Sequence, residues 1–219
     1  MSAVEPGTPA LRYRILTPLY DLAIGLLLPE REMRGALAER IAPRPGMRVL
    51  DLGCGTGTFA IMLARANPAI EVIGIDPDPD IVRMAERRAA GLDAGLVLKL
   101  AGAQALPFDR GAFDVVASTL VFHHLPPSVK WAALREALRV LRPGGRLLIL
   151  DFGRPEGAVQ AVLGHAAGFL DGWGTTAENI AGKIPELMRQ AGFFEVRQTY
   201  VRGTLFGTLR LYEGKKETS

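Results

Sequence analysis

The stretch Val49-Leu50-Asp51-Leu52-Gly53-Cys54-Gly55-Thr56-Gly57 decides how the chain is organised. Met47 to Leu52 has the apolar pattern of a short buried strand. Three glycines follow at alternate positions, and Thr58 to Ala66 is helix-forming. The expected local structure is a strand-turn-helix elbow. Glycine takes φ > 0 without strain and leaves no Cβ between a ligand and the main chain. A helix that begins at such a turn aims unpaired N–H groups and its positive dipole end outward. An anionic or polar ligand group is expected there. A turn without a ligand would need one glycine, and each further glycine costs conformational entropy on folding.

The spacing departs from the dinucleotide fingerprint G-x-G-x-x-G. Counted from Gly53, its third small position falls on Thr58, and the third glycine comes one place early. Asp51, two residues before the first glycine, is a second departure. With these features the stretch resembles motif I of the class I S-adenosylmethionine (SAM)-dependent methyltransferases. The resemblance implies that the glycine loop meets the methionine part of SAM, whose carboxylate takes the place of a pyrophosphate. It assigns Asp51, Gly53, Cys54, Gly55 and Gly57 to the cofactor.

With 219 residues, 48% hydrophobic and 22% charged, the chain suits one α/β domain with a full core. No apolar run reaches the ~18 residues of a membrane span, and Met1 to Ala10 lacks a basic-then-apolar secretory pattern. Cys54 is the only cysteine, which excludes an intrachain disulfide, and no Cys/His cluster has zinc spacing. A cytoplasmic protein without a metal is expected. The net charge is +3 and the arginines are dispersed, so no nucleic acid partner is expected.

Residues 1–10 are expected to fray. The apolar run Leu22 to Leu28 follows Arg12 to Asp21 and ends at Pro29. A helix over 19–28 would be apolar on too many sides for a surface helix, and reads either as a core element or as a lid over an apolar site. A second helix is expected from Glu30 to Ile41, with Met33, Leu37 and Ile41 on one face, ended by Pro43, Pro45 and Gly46. Residues 1–45 are thus assigned to an N-terminal helical lid, 46–152 to the cofactor core, and 153–219 to the acceptor side and a closing hairpin.

After the elbow, Ile70 to Ile75 reads as a strand ending at Asp76. Asp76 lies 76 − 53 = 23 residues beyond the first glycine, where a carboxylate can accept both ribose hydroxyls of a nucleoside. Asp78-Pro79-Asp80 supplies a cap for a helix over Ile81 to Ala90, which frees Asp76 from that task. Leu96 to Leu100 is a third strand. Ala101-Gly102-Ala103-Gln104-Ala105-Leu106-Pro107-Phe108 then resembles the family segment G-D-A-E-x-L-P-F, whose Asp accepts from the adenine amino group. Gly102 replaces that Asp here, which leaves the backbone near Ala103, and Gln104, to read the base edge. The resemblance also places Pro77 and Ser118 at the cofactor.

Phe113 to Thr119 reads as the fourth strand and opens into Leu120 to Pro126. A helix over Ser128 to Leu141 is stopped by Arg142-Pro143-Gly144-Gly145, and Leu147 to Phe152 is the fifth strand. His-His-Leu, Arg139 to Gly145 and a strand ending in Asp151 resemble the branch that contains the quinone-biosynthesis C-methyltransferases and other bacterial small-molecule enzymes. Ala158 to Leu170 could form a helix, Thr175-x-x-Glu178 fits a capping box, and Pro185 starts a helix to Ala191 closed by Gly192. Strands around Glu195–Val201 and Leu205–Tyr212 are too close for a crossover helix and should pair antiparallel. The expected fold is a Rossmann-like, doubly wound, mostly parallel seven-stranded sheet with a C-terminal antiparallel hairpin and helices on both faces.

The resemblance implies methyl transfer from SAM, with S-adenosylhomocysteine as product. A sulfonium is an activated leaving group, so alignment supplies most of the acceleration. A phenol, enol or amine acceptor also needs a base, and His123 and His124 are the candidates, with Tyr20, His124 and Asp151 facing the acceptor. Apolar residues before the sheet and from Val162 to Trp173 favour a small hydrophobic or aromatic acceptor. Peripheral membrane contact through the N-terminal helix and the oligomeric state stay open. The rival readings are a non-catalytic SAM-binding module, a nicotinamide oxidoreductase, disfavoured by Thr58, Asp51 and the hairpin, and an RNA methylase, disfavoured by the lack of a basic aromatic stripe.

Overall fold

The computed structural model describes residues 28–92, 95–158, 160–162 and 173–218. The elements run α1 (Glu30–Ile41), β1 (Arg48–Leu52), α2 (Thr58–Ala66), β2 (Glu71–Asp76), α3 (Pro79–Ala89), β3 (Leu96–Leu100) and β4 (Phe113–Thr119). A 3₁₀ turn (Phe122–His124), α4 (Pro127–Val140), β5 (Leu141–Gly153), α5 (Trp173–Ile180), α6 (Ile184–Ala191), β6 (Phe194–Thr204) and β7 (Gly207–Lys215) complete the order. The seven strands form one sheet in the order β3-β2-β1-β4-β5-β7-β6. β1 to β5 pair in parallel, and β7 runs antiparallel between β5 and β6. The chain therefore reverses direction across the sheet between β1 and β4, the point where an open α/β sheet leaves a crevice beyond its strand ends.

Alternation along β1 divides the two cores. Leu50 and Leu52 join one apolar cluster with α4 and α6, including Leu134, Ala137, Ile184 and Met188. Val49 faces the other, with Met33, Leu37 and Ile41 of α1 and Phe59, Ala60 and Leu63 of α2. Asp51 has the parity of Val49, so its carboxylate is turned toward the α1 and α2 side. β1 can be buried on both faces because helices cover both.

Several boundaries differ from those read in the sequence. α3 begins at Pro79, because the Asp78 carboxylate accepts from the Asp80 and Ile81 amides and starts the helix directly behind it. α4 ends at Val140, and β5 begins at Leu141, since Leu141 already pairs with Phe113 before the register shifts to Arg146 opposite Val115. The hairpin strands are longer than expected, because β7 is buried between two neighbours along most of its length. α5 begins at Trp173, so Thr175 lies inside its first turn and the capping box does not form. Its carbonyl instead accepts from Lys130 Nζ at 2.9 Å. Most of the stretch proposed as a helix from 158 to 170, and all of 1–27, lie outside the described residues.

Candidate active site

All three elbow glycines sit at positive φ, +75° at Gly53, +55° at Gly55 and +76° at Gly57. At Gly53 a side chain is also excluded by contact: a Cβ there would stand 2.4 Å from Val121 Cγ2, so the loop after β4 rests directly on the elbow. Gly55 is the opposite case, with nothing within 4 Å of where its Cβ would be. Its main chain faces open space, as a backbone that receives a ligand must. The Gly53 and Cys54 amides donate to the Ile75 carbonyl at 2.9 and 2.8 Å, which fixes the loop across the end of β2. Cys54 is buried, and Gly74 leaves room for it, since a Cβ at Gly74 would lie 3.0 Å from Cys54 Sγ. Burial, with the Asp51 and Asp76 charges, pushes the Cys54 thiol upward, so it packs as an apolar group.

Asp51 is 1% exposed, and neither carboxylate oxygen has a hydrogen-bond partner among the described residues. Burial pushes its carboxyl up to about 7, with the Arg34 charge and the Ala60 amide at the start of α2 opposing and Asp76 adding to the rise. An uncompensated carboxylate is costly in a protein interior. Near the end of a central strand, beside an open glycine loop, an ionised Asp51 is a negative charge suited to a cationic neighbour.

Asp76 ends β2. Its Oδ2 accepts from the Gly55 amide at 3.1 Å and its Oδ1 from the Asp78 amide at 3.0 Å. Burial raises its pKa against these bonds. Each carboxylate oxygen has a further lone pair for a ribose hydroxyl, and Pro77 is exposed beside it. The Ala101 amide donates to the Asp76 carbonyl at 3.0 Å, so the loop after β3 begins next to this carboxylate. That loop is braced from α4: Glu136 accepts from the Leu106 amide at 2.7 Å, and Arg139 donates to the Phe108 and Leu106 carbonyls at 2.8 and 3.0 Å. Ala103 is buried, while Gln104 is exposed and lays its amide over Gly102. Ser118 is wholly buried and donates to the Leu52 carbonyl at 3.0 Å, tying β4 to β1 below the elbow.

Across the β1/β4 crevice, the 3₁₀ turn carries both candidate histidines. His123 and Asp151 are 3% and 0% exposed, with Nδ1 and Oδ1 2.6 Å apart. The His123 and His124 rings lie 3.8 Å apart, and Phe152 meets His123 edge-on at 5.2 Å. Desolvation, with the His123 charge beside it, lowers His124 to about 3 and keeps it neutral near pH 7, although Asp151 pulls the other way. Tyr20, the remaining candidate, lies outside the described residues.

The sequence reading missed Lys130, which is fully buried on α4. Its Nζ donates to the Thr175 carbonyl and Asn179 Oδ1, both at 2.9 Å, and stands 3.4 Å from Glu178. Asn179 Nδ2 in turn donates to the Phe152 carbonyl at 3.4 Å, and Thr176 Oγ1 to the His123 carbonyl at 3.4 Å. These bonds fasten α5 to the residues around the histidine turn.

A family described as a methyltransferase domain matches residues 49–145. The chain is 31% identical over 218 residues to a ubiquinone/menaquinone biosynthesis C-methyltransferase of Syntrophotalea carbinolica, covering 91% of this chain and 90% of that protein. It is 43% identical over 118 residues to 27-O-demethylrifamycin SV methyltransferase of Amycolatopsis mediterranei, covering 53% of this chain and only 42% of that longer protein. In fold it is similar to a Haemonchus contortus phosphoethanolamine N-methyltransferase solved with phosphomonomethylethanolamine and S-adenosylhomocysteine. The TM-score is 0.68 at 18% identity, over 85% of this chain and 52% of that one.

Proposed function

Because the chain belongs to the class I SAM-dependent methyltransferases, in the branch of the quinone-biosynthesis C-methyltransferases, we propose that it methylates a small apolar or aromatic acceptor beside His123 and His124. The observation that carries the cofactor side is the buried Asp51 carboxylate, whose oxygens have no hydrogen-bond partner among the described residues, beside the open face of Gly55. SAM fits this surface: Asp51 suits its ammonium, the elbow its amino-acid end, and Asp76 its ribose. Beyond Asp76 the next strand in the sheet is β3, so the base would reach Gly102, Ala103 and Gln104.

When bound, SAM supplies an electrophilic methyl group on a sulfonium. The chain's part is to align an acceptor with it and to manage the proton. His123 suits the second task for an acceptor carrying O–H or N–H, because the Asp151 carboxylate at Nδ1 orients the ring and stabilises the imidazolium formed on taking a proton. His124, held neutral and half-buried, lines the same turn. Burial of His123 and Asp151 keeps bulk water from the pair. This reading places the enzyme in the cytoplasm; among the described residues no helix is long and apolar enough to cross a membrane.

Calorimetry with S-adenosylhomocysteine tests the cofactor assignment. Asp76→Ala should weaken binding about 10- to 150-fold, the worth of a charge-assisted hydrogen bond. Unchanged affinity would remove Asp76 from the site. Incubation with methyl-labelled SAM and a cell extract, read by mass spectrometry, identifies the acceptor. Binding without any labelled product would favour a non-catalytic SAM-binding module.

A further inference from the structure

Arg34, on α1, carries another of the buried side-chain atoms left without a hydrogen bond among the described residues. Its side chain is 15% exposed, and its Nε is buried with no hydrogen-bond partner among the described residues. Nη1 bonds Glu30 one turn earlier. The Nε–Nη2 edge is therefore left over, and it is the edge that grips a carboxylate through two parallel bonds.

The placement follows from how α1 is moored. Its C-terminal end is held against the middle of β5, where Arg146 donates to the Arg40 and Ile41 carbonyls at 3.0 and 2.6 Å. Its N-terminal end is held on the hairpin, where Tyr200 donates to Glu32 at 3.0 Å. Arg34 stands seven residues before Ile41, about 10 Å along the helix axis. Arg146 is in register with Val115 and so with Val49, and Asp51 stands two residues beyond Val49, about 7 Å along its strand. Strand alternation turns Asp51 toward the α1 face, where Arg34 also stands. They are close enough for the Arg34 charge to act on Asp51, yet neither orphaned atom bonds to the other.

A cation and an anion near enough to interact, each with buried atoms unbonded among the described residues, match a zwitterion. We infer that Arg34 binds the α-carboxylate of the cofactor while Asp51 takes its α-ammonium, so that α1 closes one wall of the cofactor site. This inference rests on SAM occupying the elbow.

Two ligands separate the possibilities. S-adenosylhomocysteine carries the amino-acid end, and 5′-methylthioadenosine has the same nucleoside without it. Arg34→Met should weaken S-adenosylhomocysteine about 10- to 100-fold and leave methylthioadenosine unchanged in calorimetry. Arg34→Lys should recover part of the loss, since a point charge replaces the fork. Equal losses for both ligands, or no loss for S-adenosylhomocysteine, would overturn the inference and leave the cofactor reading standing. A wild-type protein that binds neither ligand would end both.

Discussion

The Nδ1 of His123 and Oδ1 of Asp151 lie 2.6 Å apart, and the His123 amide donates to the other carboxylate oxygen at 3.3 Å. One carboxylate thus fixes both the backbone and the ring of the residue that follows β4. Burial opposes ionisation of Asp151. The His123 charge, its hydrogen bond and the Phe152 amide outweigh it and hold the carboxyl below the usual carboxylate range. The pair suits a base whose partner stays anionic. Asp151→Asn keeps the shape and removes the charge. For an O–H or N–H acceptor it should lower kcat about 10²- to 10⁴-fold, the range of general base catalysis, with S-adenosylhomocysteine affinity unchanged. A kcat equal to wild type would reduce the pair to a structural bond.

Asp51 gives the cofactor site a pH dependence. Its folded-state pKa of about 7 stands above the ordinary 3.8, so between those values the folded chain holds a proton that the unfolded chain lacks. Stability of the ligand-free protein from this group is full below 3.8 and lost as pH rises through 7. A bound ammonium favours the ionised form. S-adenosylhomocysteine affinity should therefore rise about tenfold from pH 6 to pH 8, with proton release seen by calorimetry in buffers of different ionisation heat. Asp51→Asn should bind weakly and lose this pH dependence. The same slope in the variant would assign it elsewhere.

The loop after β3 offers a sharper test of base recognition. A Cβ at Gly102 would lie 2.7 and 2.8 Å from Oε1 and Nε2 of Gln104, so the Gln104 amide fills the space where the family's aspartate would start. An amide presents both an acceptor and a donor, and by rotating can pair with adenine or with its 6-oxo counterpart. The wild-type protein should bind S-adenosylhomocysteine and S-inosylhomocysteine within a few-fold of each other. Gly102→Asp combined with Gln104→Ala should favour the adenine ligand by tenfold or more. Equal effects on both ligands would show that neither side chain reaches the base.

What the sequence made legible was the part with local grammar. The elbow, Asp76, the Asp78 cap and the hairpin each follow from a short spacing that one chemical rule explains. Lys130 was hidden because a lysine one turn into an amphipathic helix reads as solvated, and only the docking of α5 buries it. Thr175 and Glu178 had a capping spacing, but the helix starts two residues earlier and the pair turns to Lys130 instead. Arg34 looked like one of many dispersed arginines; its significance lies in an unmatched Nε that only the packed structure reveals.

The acceptor argument rests on residues before the sheet, and Leu28 refines its test. Leu28 is 4% exposed and packs in the cluster of Met33, Leu37 and Ile41, so it is part of the core. Leu19, Leu22, Ile24, Leu26 and Leu27 precede it and lie outside the described residues. The sequence reads this apolar run either as a lid that keeps water from the methyl group and presents an apolar surface to the acceptor, or as a core element. Deleting residues 1–27 while keeping Leu28 separates a lid from a core element. A lid predicts a truncated protein with a melting temperature within a few degrees of wild type and methyl transfer lowered by a hundredfold or more. Removing five buried leucine-type side chains from a core would instead cost about 2 kcal/mol or more each and abolish the cooperative transition. A collapsed melting transition would therefore return these residues to the core, and the apolar acceptor would lose its main support.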